Sequence, residues 1–162
     1  MIRNRAASNP RGPVLALDLG QKLVGAAVSD QMLITIRRLD PIKRSNWKQL
    51  VRDVTALIQR FDAQTLVIGL PLSLDGTWGV AAHNMQQQAT NFARSLKLAV
   101  YLQDERLTSV EARESLLLQG HSESDIPMLI DGEAAALILR DFLNSSEGAV
   151  LVSPEVMRSQ NE

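Results

Sequence analysis

At 162 residues the chain is sized for one domain with a single substantial core. Its 45% apolar and 22% charged residues suit a soluble globular protein, and no apolar run approaches the roughly 20 residues that cross a bilayer. The lack of cysteine excludes disulfides, thiolate metal sites and cysteine nucleophiles, and two distant histidines, His83 and His121, argue against a zinc site, so any metal would be held by oxygen.

The opening "MIRNRAASNPRGP" carries Arg3, Arg5 and Arg11 and no apolar core segment. It reads as a flexible basic arm over residues 1–12 rather than a secretory signal, which makes the cytoplasm the expected location. "VLALDLGQKLVGAAVSD" (Val14 to Asp30) reads as two strands around the turn Leu19-Gly20-Gln21-Lys22. Met32 to Leu39 predicts a third strand ended by Asp40-Pro41. Ser45 is a candidate N-cap for a helix in which Trp47, Leu50, Val51, Val54, Leu57, Ile58 and Phe61 recur at helical spacing. "TLVIGLP" (Thr65 to Pro71) predicts a buried strand, followed by a polar loop containing Trp78, which either stacks on a base or packs on the next helix.

A second helix is expected from about Val80 to Lys97 and a fifth strand from Leu98 to Arg106. Thr108 and Glu111 have capping-box spacing for a third helix to about Gln119, stopped by Gly120. "HSESDIPML" reads as a loop, and the last helix as running from about Asp131 to Asn144. This gives a folded domain over 13–145 and a loosely ordered tail over 146–162. The order β-β-β-α-β-α-β-α-α implies an α/β fold, a five-stranded mixed sheet flanked by helices in the ribonuclease H-like arrangement.

Three acids stand at element ends: Asp18 closing the first strand, Asp104-Glu105 closing the fifth, and Asp131 opening the last helix. Were the strand ends adjacent, the carboxylates would converge. At about 4 Å and an effective dielectric of about 20, each pair would repel by on the order of 4 kcal/mol. A proton or a divalent cation removes that cost, and oxygen ligands suit Mg²⁺ or Mn²⁺, which activates water for phosphodiester hydrolysis. Each acid also has a structural role open to it. Asp18 can brace its turn, Asp131 can cap a helix, and Glu105 can pair with Arg106 or Arg113, while Asp30 more simply closes its strand.

Charge is unevenly spread under a net charge of −1: seven Lys/Arg against two Asp from Arg37 to Arg60, then eight acids against two Arg from Asp104 to Glu133. This pattern fits a phosphate-tracking face beside a cation-collecting one, or two ordinary solvated faces.

"LALDLGQKLVGAAVSD", "LVIGLPLSLDGTWG", "DERLTSVEA" and "IDGEAAALILRDFL" together resemble, in order and spacing, the signature blocks of the YqgF/RuvX family of Holliday-junction-resolvase-like proteins, also described as pre-16S rRNA nucleases. The similarity runs from about Val14 to Leu143. It implies a metal-dependent nuclease acting on structured RNA, such as an rRNA precursor in ribosome biogenesis, or on branched DNA. By position Asp18, Glu105 and Asp131 match the family's acids and would be both catalytic and metal-binding, with Asp104 in reserve. Lys22 matches a basic position that contacts phosphate, although a solvated turn lysine is the alternative, and Arg106 of the same "DER" block is the second nucleic-acid contact. A monomer or a homodimer is expected, without membrane association.

The chain departs from the pattern. Gln21 stands where members usually carry Thr, Leu23 where a basic residue is frequent, and Ser109 for the second Thr of "DERLTT". No Lys or Arg lies between Arg113 and Arg140, where members have a basic stretch. Because phosphate contacts supply most nonspecific affinity, the nucleic-acid grip would be weaker or displaced toward Arg37–Arg60. The alternative function is therefore a non-catalytic nucleic-acid or protein-binding module that retains the fold. An actin-like ATPase or sugar kinase, the other bearer of a similar Asp-x-Gly turn, needs two such halves.

Overall fold

A computed structural model describes residues 10–106, 108–145 and 148–152. In chain order the elements are β1 (Val14–Leu19), β2 (Leu23–Ser29), β3 (Ile36–Arg38), β4 (Ile42–Lys43), α1 (Trp47–Phe61), β5 (Thr65–Leu70), α2 (Val80–Leu96), β6 (Ala99–Asp104), α3 (Thr108–Leu118), α4 (Ile126–Asn144) and β7 (Val150–Val152). Most of the basic arm expected over 1–12, and residues 146–147 and 153–162 of the expected tail, lie outside the described residues, as does the side chain of the capping-box residue Thr108.

The strands form one mixed sheet in the order β3-β2-β1-β5-β6-β7, with β4 paired to β2. β1 is central. It runs antiparallel to β2, with Leu15 opposite Val28 and Asp18 opposite Gly25, and parallel to β5, with Leu17 opposite Ile68. This is the ribonuclease H-like architecture expected, with seven strands rather than five. The two additions, β4 and β7, span two and three residues, too short to leave a periodic pattern. β7 lies in the stretch read as tail and pairs with the exposed edge of β6.

Strand alternation divides the core in two. Leu15, Leu17 and Leu19 of β1 pack with Leu50 and Val54 of α1 and Met85, Ala89 and Phe92 of α2. Val14 and Ala16 face the other way, onto Ala135, Ile138, Leu139 and Phe142 of α4. Deleting a fully buried side chain such as Leu17 would cost about 2–5 kcal/mol.

Several expected boundaries move for local chemical reasons. Asn46, not Ser45, caps α1, its side chain accepting from the Gln49 N–H at 2.9 Å. The third strand shrinks to Ile36–Arg38 because the Asp30 carboxylate turns the chain beforehand, accepting the N–H groups of Ile34 at 2.7 Å and Thr35 at 2.9 Å. Those bonds hold Asp30 below the usual carboxylate range. The last helix starts at Ile126, five residues before Asp131, since Pro127 suits a first helical turn. Asp131 is thus an interior helical residue and no N-cap. Among the described residues no helix is long and apolar enough to cross a membrane.

Candidate active site

Asp18 is the fifth residue of β1, and alternation sends its side chain to the α4 face with Val14 and Ala16. On its β2 side the paired residue is Gly25. A Cβ at Gly25 would overlap the backbone carbonyl of Asp131, so the missing side chain lets α4 lie against β2 at that point. Two neighbours on adjacent elements, Asp18 and Asp131, are thereby drawn together.

Glu105 enters from the other side. It follows β6 directly, and its N–H donates to the Leu70 carbonyl at 3.1 Å, which keeps it beside the end of β5. Its carboxylate lies over Gly69, where a Cβ would collide with it and with Ile138 of α4. Two glycines, in the two strands that flank β1, therefore make room for one acid each.

Asp18 and Glu105 are hydrogen-bonded to one another. Burial, then the Asp18 charge, then the hydrogen bond to Asp18 and the charge of Asp104 push Glu105 up to about 8. Asp18 is raised chiefly by burial; the Glu105 bond opposes this and the Asp131 charge adds to it. Partial burial also raises Asp131. At neutral pH the pair therefore shares one proton, held on Glu105, whose O–H donates to Asp18. Among the described residues no group of three Asp, Glu or His side chains closes around one point. The arrangement is a carboxylate pair with Asp131 near enough for its charge to be felt.

Asp104, the reserve candidate, faces away. Its carboxylate accepts from Arg106 Nε at 2.8 Å and pairs with Nη2 at 2.6 Å. Arg106 also donates to the Leu74 carbonyl at 3.2 Å, so it ties the β5–α2 loop to the end of β6. Lys22 is exposed in the β1–β2 turn, which Arg44 braces by donating to the Gly20 carbonyl at 3.0 Å and to Gln88 at 2.7 Å. Trp78 leans on His83 of α2, with ring centroids 5.4 Å apart.

Sequence reasoning passed over Glu133. It is 6% exposed, two residues beyond Asp131, and held by Arg38 at 2.9 Å, Ser115 Oγ at 2.7 Å and Gln119 Nε2 at 3.2 Å. Its signal in the chain was a charged residue inside the apolar run "IDGEAAALIL", while its partner Arg38 lies 95 positions away.

The family described as "RuvX: Holliday junction resolvase" matches residues 12–145. A protein of Synechococcus elongatus named "Putative pre-16S rRNA nuclease" is 38% identical over 135 residues, covering 83% of this chain and 91% of its own. A protein of the same name from Lactobacillus johnsonii is 34% identical over 137 residues, with 82% and 96% covered. Among solved structures, Thermus thermophilus RuvC in complex with a Holliday junction substrate aligns with a TM-score of 0.51 at 15% identity, covering 82% of this chain and 96% of that one. The Fowlpox virus resolvase with Holliday junction DNA aligns at 0.53 and 14% identity, covering 83% and 99%. These two likenesses are of fold. The family match and the identities over most of the chain carry more: this protein belongs to the RuvX family of Holliday-junction-resolvase-like nucleases.

Proposed function

We propose that this protein is a divalent-cation-dependent nuclease that hydrolyses phosphodiester bonds in structured nucleic acid, with an rRNA precursor as its first substrate and branched DNA as its second. The Asp18–Glu105 pair at the end of the central strand carries the reading: two carboxylates are held together by a proton where a cation would neutralise both. The names of the relatives from Synechococcus and Lactobacillus support the RNA substrate, and the family description supports the branched one.

The donor set fits Mg²⁺ or Mn²⁺, since it is made only of hard oxygen ligands. Asp18 and Glu105 would hold the ion and Asp131 would complete the set. Bound there, such an ion supplies Lewis-acid activation of water and charge stabilisation for the leaving oxygen.

The residues' own part comes first. Glu105 must release its proton, so cation loading competes with protonation and improves as pH rises toward about 8. Gly69 and Ile138 enclose the Glu105 carboxylate, which holds it in place before substrate arrives. Lys22, exposed in its turn, and Arg106, next to Glu105, are the candidate phosphate contacts. A folded unit that starts near residue 13 and includes β7, acting in the cytoplasm as a monomer or homodimer, completes the reading.

The test compares wild type with Asp18→Asn on a precursor-rRNA fragment and a four-way DNA junction, with Mn²⁺ and with chelator. Metal-dependent cutting that the substitution removes is expected, and the favoured substrate follows from the same gel. Wild type that binds the cation and cuts neither substrate would replace the nuclease with the non-catalytic binding module.

A further inference from the structure

On the face of β6 that meets α4, Tyr101 packs with Phe142, and two residues on stands Gln103. Gln103 is 8% exposed, and its Oε1 is buried with no hydrogen-bond partner among the described residues. A buried acceptor without a partner penalises the fold, and leucine at the same position would avoid the penalty. The glutamine lines a cleft of about 470 Å³ together with Asp104, Arg106, Asp141, Asn144 and Ser145. That volume falls within the range of small-molecule sites.

The cleft adjoins the carboxylate pair. Asp104 and Arg106, on either side of Glu105 in the chain, both line it, and Gln103 is paired in the sheet with Gly69, over which the Glu105 carboxylate lies. Its charge does not suit a phosphate as the enclosed ligand, because two carboxylates, Asp104 and Asp141, line it against the one guanidinium of Arg106, which Asp104 holds in part. Acceptors predominate: Gln103 and Asn144 bring amide oxygens, and Asp141 a carboxylate whose Oδ1 pairs with Arg140 at 3.1 Å and whose other oxygen remains to accept. The terminal amide torsions are soft and roughly two-fold, so either end of Gln103 or Asn144 can turn to a partner.

A planar, neutral ligand that offers N–H donors and a ring acceptor fits this lining. Glutamine and asparagine amides pair two-handed with adenine, and an aspartate accepts from the cytosine amine. Bases become accessible to such reading when a strand is unstacked. We propose that this cleft holds one unstacked nucleobase bearing an exocyclic amine, from the strand cut at the neighbouring carboxylates, with the Gln103 and Asn144 amides reading it. The proposal rests on the nuclease reading above and adds a base-selective subsite to it.

The experiment titrates ¹⁵N-labelled full-length protein, without divalent cation, with 5′-AMP, GMP, CMP and UMP in turn, following the side-chain amide signals of Gln103 and Asn144. AMP, GMP and CMP should move both signals, with UMP binding about tenfold more weakly for want of the amine. Gln103→Leu should remove that selectivity while raising Tm by about 2–4 °C, as the buried acceptor goes. An Asn144 signal that stays still, or that UMP moves as strongly as the others, overturns the proposal. So does a Gln103→Leu protein that keeps the selectivity or loses thermal stability. Cleavage by wild type with silent amides would sink the base cleft alone, whereas moving amides in a protein that cuts nothing would sink the nuclease alone.

Discussion

Two glutamates contact the same helix, α4, and meet opposite fates. Glu133 is buried on α4 itself between β3 and α3, and a guanidinium, a hydroxyl and an amide fill its coordination. Glu105 approaches α4 from the end of β6, where it lies near Ile138 and bonds the Asp18 carboxylate, and carries a proton to about pH 8. The first has its cation built in; the second has another carboxylate, Asp18, as its hydrogen-bond partner. A carboxylate withdrawn from water is therefore not by itself a sign of function. What marks the site is a carboxylate hydrogen-bonded to a second carboxylate, a pair whose charge a cation would neutralise.

The comparison breaks most visibly at Asp18. Asp18→Asn should lower metal-dependent cleavage about a thousandfold, equivalent to ~4 kcal/mol of barrier, in single-turnover assays. Replacing Glu133 by Gln should leave the cation dependence of the rate intact, whatever it does to stability.

The pH response separates the two regions next. A carboxyl held above its ordinary value carries more protons folded than unfolded. Stability from the Asp18–Glu105 pair is therefore full below about 4.5 and is lost as pH rises through about 8. The loss should be on the order of 2–4 kcal/mol across that window, read from urea midpoints at a series of pH values. Asp18→Asn should flatten the slope, and millimolar Mg²⁺ at pH 8 should restore the wild-type stability.

At the other glutamate, Arg38→Ala should destabilise by about 2–3 kcal/mol, because Glu133 stays buried without its partner. The figure sits below that of a fully enclosed pair since the Arg38 side chain is 30% exposed. The double change Arg38→Met with Glu133→Leu should recover most of the loss in thermal melts, as no charge is left stranded. The smallest effect is expected at Asp104→Asn, which removes a partly exposed pair with Arg106 worth about 0.2–1 kcal/mol. Calorimetric Mn²⁺ titration should show its cation affinity changed far less than that of Glu105→Gln.

Much of this was legible in the chain. The three acids, the glycine-bearing turn after Asp18 and the amphipathic α1 all follow from local chemistry, and the family blocks place them in order. Element ends were harder wherever a side chain bonds the backbone out of pattern, as Asp30 does before β3. At α4 the apolar run hid a start at Ile126, and only Pro127 hinted at it. Whether Asp104 or Glu105 meets Asp18 could not be read from strand alternation until one strand's facing was known. Gln103 gave no signal and Glu133 only a charge within an apolar run, for a related reason: the surroundings of a buried polar residue come from far off in sequence.

By itself the sequence determined the kinds of groups available: oxygen ligands without sulfur or paired histidines, strands that end in acids, and an uneven charge distribution. Those are properties of composition and short-range spacing. The tertiary structure decided which groups meet. The parallel pairing of β1, β5 and β6 brings Asp18 and Glu105 to one edge, and the bare backbones of Gly25 and Gly69 let α4 and Glu105 approach. Desolvation and mutual repulsion arise only from that convergence, and with them the raised proton affinity of this pair.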